Sequence, residues 1–202
     1  MKEFAEKMLA SNSTSSYDLT VIVPVYNEED NMTALEKALS EFVNSTPYAS
    51  CILFVNDGSK DSSLSGIQTL CARNKHFYYI SFAKNAGLSA AIKAGFDMAQ
   101  SKYVGYIDAD LQTSPEDFNI LYQYIGDYKM VMGIRAQRKD SAFKLIQSKI
   151  ANSFRRMMTH DGATDTGCPL KIIHTEYAKE IVRLMDYFFS EDGQLAGKYG
   201  YE

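Results

Sequence analysis

Leu19-Thr20-Val21-Ile22-Val23-Pro24-Val25, followed at once by Tyr26-Asn27-Glu28-Glu29, is the stretch that settles the architecture. The first seven residues are almost wholly apolar and rich in β-branched side chains, so neither face of the strand they form suits water. A strand covered on both faces belongs to a parallel sheet layered between helices. Asn27-Glu28-Glu29-Asp30 then reads as a helix start, its acidic residues against the positive end of the helix dipole, with the helix running to about Val43.

The rest of the chain repeats that rhythm. Cys51–Val55 reads as a second buried strand, and Asn56-Asp57-Gly58-Ser59 as the turn that ends it. A helix is expected from Asp61 to Arg73, a third strand at Phe77–Phe82, and an alanine-rich helix at Ala86–Gln100 in which Gly87 and Gly95 allow close packing. Tyr103–Ile107 is a fourth strand. Ser114-Pro115-Glu116-Asp117 opens another helix, with Ser as N-cap and Pro at the first helical position, and Lys129–Gly133 is a fifth strand. The fold class expected is α/β, a doubly wound, mostly parallel sheet with helices on both faces. Residues 1–18 end in a polar Ser/Thr/Asn run and are expected to be a flexible tail, leaving 19–202 as one domain.

The fourth strand carries the sharpest chemical signal. Tyr103-Val104-Gly105-Tyr106-Ile107 ends abruptly in Asp108-Ala109-Asp110-Leu111-Gln112. A carboxylate stripped of water and unpaired costs several kcal/mol, so both acids are expected just where the strand leaves the sheet. Side chains two residues apart point the same way there. Two carboxylates with one amide oxygen suit Mg²⁺ or Mn²⁺, above all one that also holds phosphates; a solvated strand-to-helix turn is the other reading. Sheets of this class bind ligands beyond the carboxyl ends of their strands. The polar clusters Tyr26-Asn27-Glu28, Asp57-Gly58-Ser59, Lys84-Asn85 and Asp108/Asp110 all fall at those ends.

Composition sets the outer limits. With 202 residues, 46% hydrophobic, the chain can bury a sizeable core, and a net charge of −4 gives no global basic field for nucleic acid. The three cysteines, Cys51, Cys71 and Cys168, are odd in number and far apart, which excludes a disulfide framework or CxxC metal site and fits a reducing compartment. His76, His160 and His174 show no metal spacing. No apolar run reaches the ~20 residues needed to span a bilayer, so a cytoplasmic protein is expected, with a place at the inner face of the membrane left open.

These residues resemble glycosyltransferase family 2, whose fold is GT-A. The resemblance rests on Val21-Ile22-Val23-Pro24-Val25-Tyr26-Asn27-Glu28-Glu29, Val55-Asn56-Asp57-Gly58-Ser59-Lys60-Asp61, Asn85-Ala86-Gly87 and Asp108-Ala109-Asp110, in that order. Asp108-Ala109-Asp110-Leu111-Gln112 with Pro115-Glu116, Gly133–Asp140 and Asp165-Thr166-Gly167-Cys168 narrow it to the branch of dolichyl-phosphate mannose synthase and undecaprenyl-phosphate sugar transferases. The resemblance covers roughly residues 19 to 180. It implies that Pro24, Tyr26 and Glu28 line a nucleotide pocket, that Asp57 holds the base or ribose of a UDP- or GDP-sugar, and that Asp108, Asp110 and Gln112 bind Mg²⁺ or Mn²⁺ on the diphosphate. It places Arg135 and Arg138 on phosphate charge and Asp165 near the acceptor, a polyprenyl phosphate or a growing surface glycan.

Chemistry adds to this expectation of a metal-dependent, inverting transferase. Guanidinium groups pair bidentately with phosphate oxygens, although Arg135 and Arg138 also read as surface charges after a strand. A hydroxyl acceptor needs a general base, for which Asp165 and, more weakly, Asp192 are candidates; Asp192 equally suits an exposed acidic turn. A phosphate monoester acceptor, largely dianionic at neutral pH, needs none. Phe143, Ile146, Ile150, Phe154 and Met157 recur at helical spacing opposite a basic arc, so 141–158 either packs on the sheet or lies against lipid headgroups. A homodimer is left open.

Members of that branch usually continue further, and here the chain stops at Glu202. Either it is a short soluble member working with a membrane partner, or it is truncated. A non-catalytic, nucleotide-sugar-binding remnant and a nucleotidyltransferase remain as rival readings; the second would normally carry a glycine-rich signature where Pro24-Val25-Tyr26-Asn27 stands.

Overall fold

A computed structural model describes residues 14, 16–134 and 168–182. In chain order its elements are β1 (Leu19–Val25), α1 (Met32–Ser45), β2 (Ser50–Asn56), α2 (Ser63–Arg73), β3 (Phe77–Ser81), α3 (Leu88–Met98), β4 (Tyr103–Tyr106), α4 (Phe118–Tyr122), β5 (Met130–Met132) and β6 (Lys171–His174). Short 3-10 turns at Glu29–Asn31 and Pro115–Asp117 lead into α1 and α4, and the chain is helical again over 175–182. The strands form one six-stranded sheet in the order β3-β2-β1-β4-β6-β5. β1, β2, β3 and β4 run parallel, β6 pairs antiparallel with β4, and β5 pairs antiparallel with β6.

The apolar runs of β1 and β2 are explained by what covers them. Leu19, Val21, Val23, Val25, Ile52 and Phe54 face a core shared with Leu35, Leu39 and Phe42 of α1, Ile67 and Leu70 of α2, and Phe118 of α4. Ile22, Leu53 and Val55 point the other way, onto Ala91 and Phe96 of α3 and Ala178 and Val182 of the last described helix. Alternation along each strand is present, but both destinations are dry, so the sequence shows an unbroken apolar run.

Gly95 is where α3 meets β1: a Cβ there would stand 2.6 Å from Ile22 Cγ2, so the helix sits closer than any side chain permits. Gly87 was expected to serve the same end and does not. A Cβ at Gly87 meets nothing within 4 Å, and its φ of +94° is what favours glycine.

The helices start later than expected. α1 begins at Met32 rather than near Asn27, because Asn27 at φ +56° and Glu28 at φ −120° are not helical; the N–H groups of Asn27, Glu28 and Glu29 are taken by Ser59 Oγ, Ser63 Oγ and Asp61 Oδ2 (3.0, 2.7 and 3.1 Å). β6 was not expected at all, and β5 lies at the sheet edge beside it. Residues at the end of the polar N-terminal run are already tied to the domain. Thr14 is buried, with its Oγ1 accepting the Gln100 N–H at 3.0 Å, and Asp18 exchanges backbone bonds with Ala49 and Tyr103. All three cysteines are free and buried. Burial pushes the Cys51 thiol up to about 12, so it is a packing residue rather than a nucleophile.

Candidate functional site

The chain leaves β1 toward β2 on one side and later returns to β4 on the other, so the switch of direction falls between β1 and β4. A crevice opens at such a point because the two connecting loops diverge to opposite faces. Here it is a cleft of about 390 Å³. Pro24, Tyr26 and Glu28 line it from the end of β1, Asp57 from the end of β2, and Asp108 and Asp110 from the end of β4. Six candidates drawn from the sequence thus converge on one cavity. Gln112 lies beyond the lining, exposed at the far side of the turn, where its backbone N–H bonds Asp110 Oδ1 at 3.1 Å. Arg135, Arg138, Asp165 and Asp192, and the basic amphipathic stretch 141–158, lie outside the described residues.

The acidic turn has a definite local geometry. Ile107 still bonds the sheet through its N–H to Ile22 O, after which Asp108 emerges half-buried, Ala109 tucks under at 4% exposure and Asp110 faces solvent. The Leu111 N–H reaches back to Asp108 O at 3.4 Å, closing a turn over Ala109 and Asp110, and Leu111 itself takes φ +54°. The carboxylates at positions i and i+2 both reach the cleft. Among the described residues no group of three or more His, Cys, Asp or Glu side chains gathers to hold a metal ion. Two carboxylates are nevertheless what a hard divalent ion takes from a protein when phosphate oxygens and water complete its shell. The donor set therefore fits a cation bound together with a phosphate-bearing substrate, not a resident structural ion.

The β1 and β2 loops are stapled to each other. Besides the bonds to the Asn27, Glu28 and Glu29 N–H groups, Lys60 N–H donates to Asn27 Oδ1 at 2.8 Å and Ser62 N–H to Glu29 Oε2 at 2.9 Å. Desolvation pushes Asp61 up, but the hydrogen bonds from Ser63 and Glu29 outweigh it and hold the carboxyl below the usual carboxylate range. Asn27 itself sits at φ +56°, a conformation asparagine tolerates better than most residues. Asn27→Ala is expected to cost about 1–2 kcal/mol by adding strain and removing the Lys60 bond. Asn27→Gly should recover the strain share only, and urea denaturation of the two variants measures the difference.

Asp57 is the most enclosed of the site acids, 3% exposed. Its carboxylate accepts Asn85 Nδ2–H (2.9 Å), Ala86 N–H (2.7 Å) and Gly87 N–H (2.9 Å). That draws the β3–α3 loop against the end of β2 and brings Asn85, Gly87, Leu88 and Ala91 into the lining. Asn85 was expected at a ligand-binding strand end without a stated role, and no site role was expected for Gly87, Leu88 and Ala91. Lys84-Asn85 at a strand end and the glycine after it were the available signals, but nothing local says which acid holds them.

Residues 20–182 match the family described as glycosyl transferase family 2. The undecaprenyl-phosphate 4-deoxy-4-formamido-L-arabinose transferase of Pectobacterium carotovorum subsp. carotovorum (strain PC1) is 34% identical over 172 residues, covering 83% of this chain and 51% of that protein. The dodecaprenyl-phosphate galacturonate synthase of Rhizobium johnstonii is 28% identical, covering 90% of this chain and 55% of its own. Among solved structures, the mannosyltransferase PcManGT from Pyrobaculum calidifontis, in complex with GDP-Man and Mn²⁺, superposes with a TM-score of 0.60 at 17% identity over 84% of this chain and 48% of that one, a likeness of fold. The chain spans about half the length of the curated relatives it matches. The fold is GT-A, and the chain belongs to glycosyltransferase family 2.

Proposed function

We propose that the chain carries the donor site of a metal-dependent, inverting glycosyltransferase that moves a sugar from a UDP- or GDP-sugar to a polyprenyl phosphate. The observation that carries this reading is the cleft itself: at the β1/β4 switch point one cavity is lined by Asp108 and Asp110, by the buried Asp57, and by the exposed Tyr26 and Leu88. The names of the relatives supply the acceptor class.

In this reading Asp108 and Asp110 hold Mg²⁺ or Mn²⁺ against the diphosphate. When bound, the ion supplies Lewis-acid stabilisation of the negative charge that builds on the leaving group. Tyr26 and Leu88, 39% and 53% exposed, offer the apolar surface a flat base needs, while Pro24 and Glu28 shape the floor. Glu28 is held in place by the Asn31 side-chain amide at 2.6 Å. Arg135 and Arg138 would meet phosphate charge, and Asp165 the acceptor side. A dianionic phosphate is its own nucleophile, so the residues near it need only aim it at the anomeric carbon, on the side opposite the departing diphosphate; that direct displacement inverts the configuration. Among the described residues no helix is long and apolar enough to cross a membrane, and the basic stretch 141–158 is the proposed contact with the lipid surface.

The first test is thermal. A nucleotide present at a hundred times its Kd stabilises by about 2.7 kcal/mol, which for a chain of this size raises Tm by roughly 5–10 °C. UDP or GDP with Mn²⁺ should give that rise and CDP should not. Equal, negligible shifts with all three nucleotides would remove the reading; transfer of labelled sugar to polyprenyl phosphate then tests the acceptor.

A further inference from the structure

Glu28, Asp57, Asp108 and Asp110 line the cleft, and among the described residues no lysine or arginine does. A divalent ion offsets the acids that hold it and part of a diphosphate. An acceptor that is itself a phosphate monoester brings further negative charge to the same place. Like charges brought together at a recognition surface are strongly disfavoured. A hydroxyl acceptor meets no such barrier, so a site that takes phosphate needs a fixed cation on the acceptor's side.

β6 places one there. Lys171 opens β6 and stands opposite Tyr106, the last residue of β4 and two residues before Asp108. Opposed residues of an antiparallel pair share a face of the sheet. The Tyr106 face is the one covered by α3, which supplies Leu88 and Ala91 to the cleft. The Lys171 ammonium lies over the Tyr106 ring, 5.1 Å from its centre, and donates to Cys168 O at 2.7 Å. A ring face and a carbonyl orient the ammonium, and neither carries a countercharge. Lys171 is half-buried, which leaves it a path to solvent.

We infer that Lys171 determines the class of acceptor: its ammonium meets the acceptor's phosphate beside Asp108 and so favours a phosphate monoester over a hydroxyl. This rests on the donor reading above and deepens it. Position along the sheet selects the acceptor rather than the nucleotide. The nucleoside lies toward β1, with the diphosphate at the end of β4, and β6 adjoins β4 on the side away from β1. Direct displacement brings the nucleophile to the anomeric carbon from the side opposite the diphosphate, which is the β6 side. An ammonium hydrogen-bonded to a phosphate oxygen is a charge-assisted pair, stronger than any bond the same group makes to a neutral hydroxyl.

The test uses the full chain with Mn²⁺ and saturating UDP or GDP, whichever stabilises it. Farnesyl phosphate and farnesol serve as short soluble probes, titrated by calorimetry. The wild type should bind farnesyl phosphate about tenfold more tightly than farnesol, a difference of about 1.4 kcal/mol. Lys171→Met should bind the phosphate about tenfold more weakly and farnesol as before, with the Kd for nucleotide and Mn²⁺ unchanged. Lys171→Arg should keep the preference, because a guanidinium also pairs with phosphate oxygens. A lysine that only ties down Cys168 O predicts another pattern, in which Lys171→Met weakens both probes equally. That result overturns the inference, as does a Lys171→Met variant that still prefers the phosphate or a wild type that does not distinguish the probes; each leaves the donor reading standing. If the wild type binds neither nucleotide, the donor reading falls and this one with it.

Discussion

Asp110→Asn should abolish the metal-dependent part of nucleotide binding and slow sugar transfer by at least about a hundredfold, with the melting temperature nearly unchanged. The asymmetry follows from where the residue sits. Asp110 is exposed, and its one described structural bond is from the Gln112 N–H to Oδ1, which an asparagine oxygen can also accept. The turn at Leu111 therefore keeps its geometry, and surface changes of this kind usually shift stability by no more than about 0.5 kcal/mol. What the substitution removes is a full negative charge from a pair that the proposed site uses to hold a dication beside two phosphates. Lewis-acid stabilisation of a leaving diphosphate is worth several kcal/mol, and each 1.36 kcal/mol is a decade in rate. Calorimetry of UDP and GDP binding with and without Mn²⁺ reads the first effect, circular dichroism checks the fold, and transfer of labelled sugar reads the second. A variant that still binds nucleotide more tightly with Mn²⁺ than without it would show that the acidic turn is not where the ion sits.

The acidic turn was legible in the sequence because it breaks a rule locally: a buried strand does not end in two carboxylates without a reason. The sheet was legible for a similar cause. β1 and β2 are dry on both faces, so each prints a run that composition alone identifies, and β1 matched residue for residue at Leu19–Val25. β6 printed nothing of the kind. Its four residues, Lys171–His174, contain two buried isoleucines, and its existence depends on pairing with β4 across an intervening stretch of more than sixty residues. Antiparallel pairing of that range is set by tertiary packing, which local pattern does not encode. The same limit hid how Asn85 is held. Asn56-Asp57-Gly58-Ser59 reads as an exposed polar turn, yet the fold buries Asp57 and hands its carboxylate to residues 28 to 30 positions further along. The acid was visible from the sequence and its partners were not.

Those partners make Gly58 the position where the fold and the site fail together. Gly58→Ala should destabilise the chain by about 3 kcal/mol or more, lowering Tm by roughly 6–12 °C, and should weaken nucleotide binding as well. Gly58 sits at φ +62°, where an L side chain costs about 1–2 kcal/mol by itself. The larger part comes from contact. A Cβ there would stand 2.3 Å from Lys84 C and 2.5 Å from Asn85 N, and both are backbone atoms that no rotamer change can withdraw. Relief requires the β3–α3 loop to retreat, but Asp57 holds that loop by the Asn85 amide and the Ala86 and Gly87 N–H groups. Moving the loop would strand a carboxylate that is 3% exposed, and an unsatisfied buried acceptor costs about 1–3 kcal/mol, more when charged. Gly87→Ala is the matched control. It too has a positive φ, +94°, with ψ 158° in an extended region that is essentially glycine-only, but its Cβ would enter open space, so only a strain cost of about 1–3 kcal/mol applies. Urea denaturation of the two variants separates the contributions. If Gly58→Ala proves no worse than Gly87→Ala, the loop has room to shift, and its close packing on the β2 turn is not what holds Asn85 at the cleft wall.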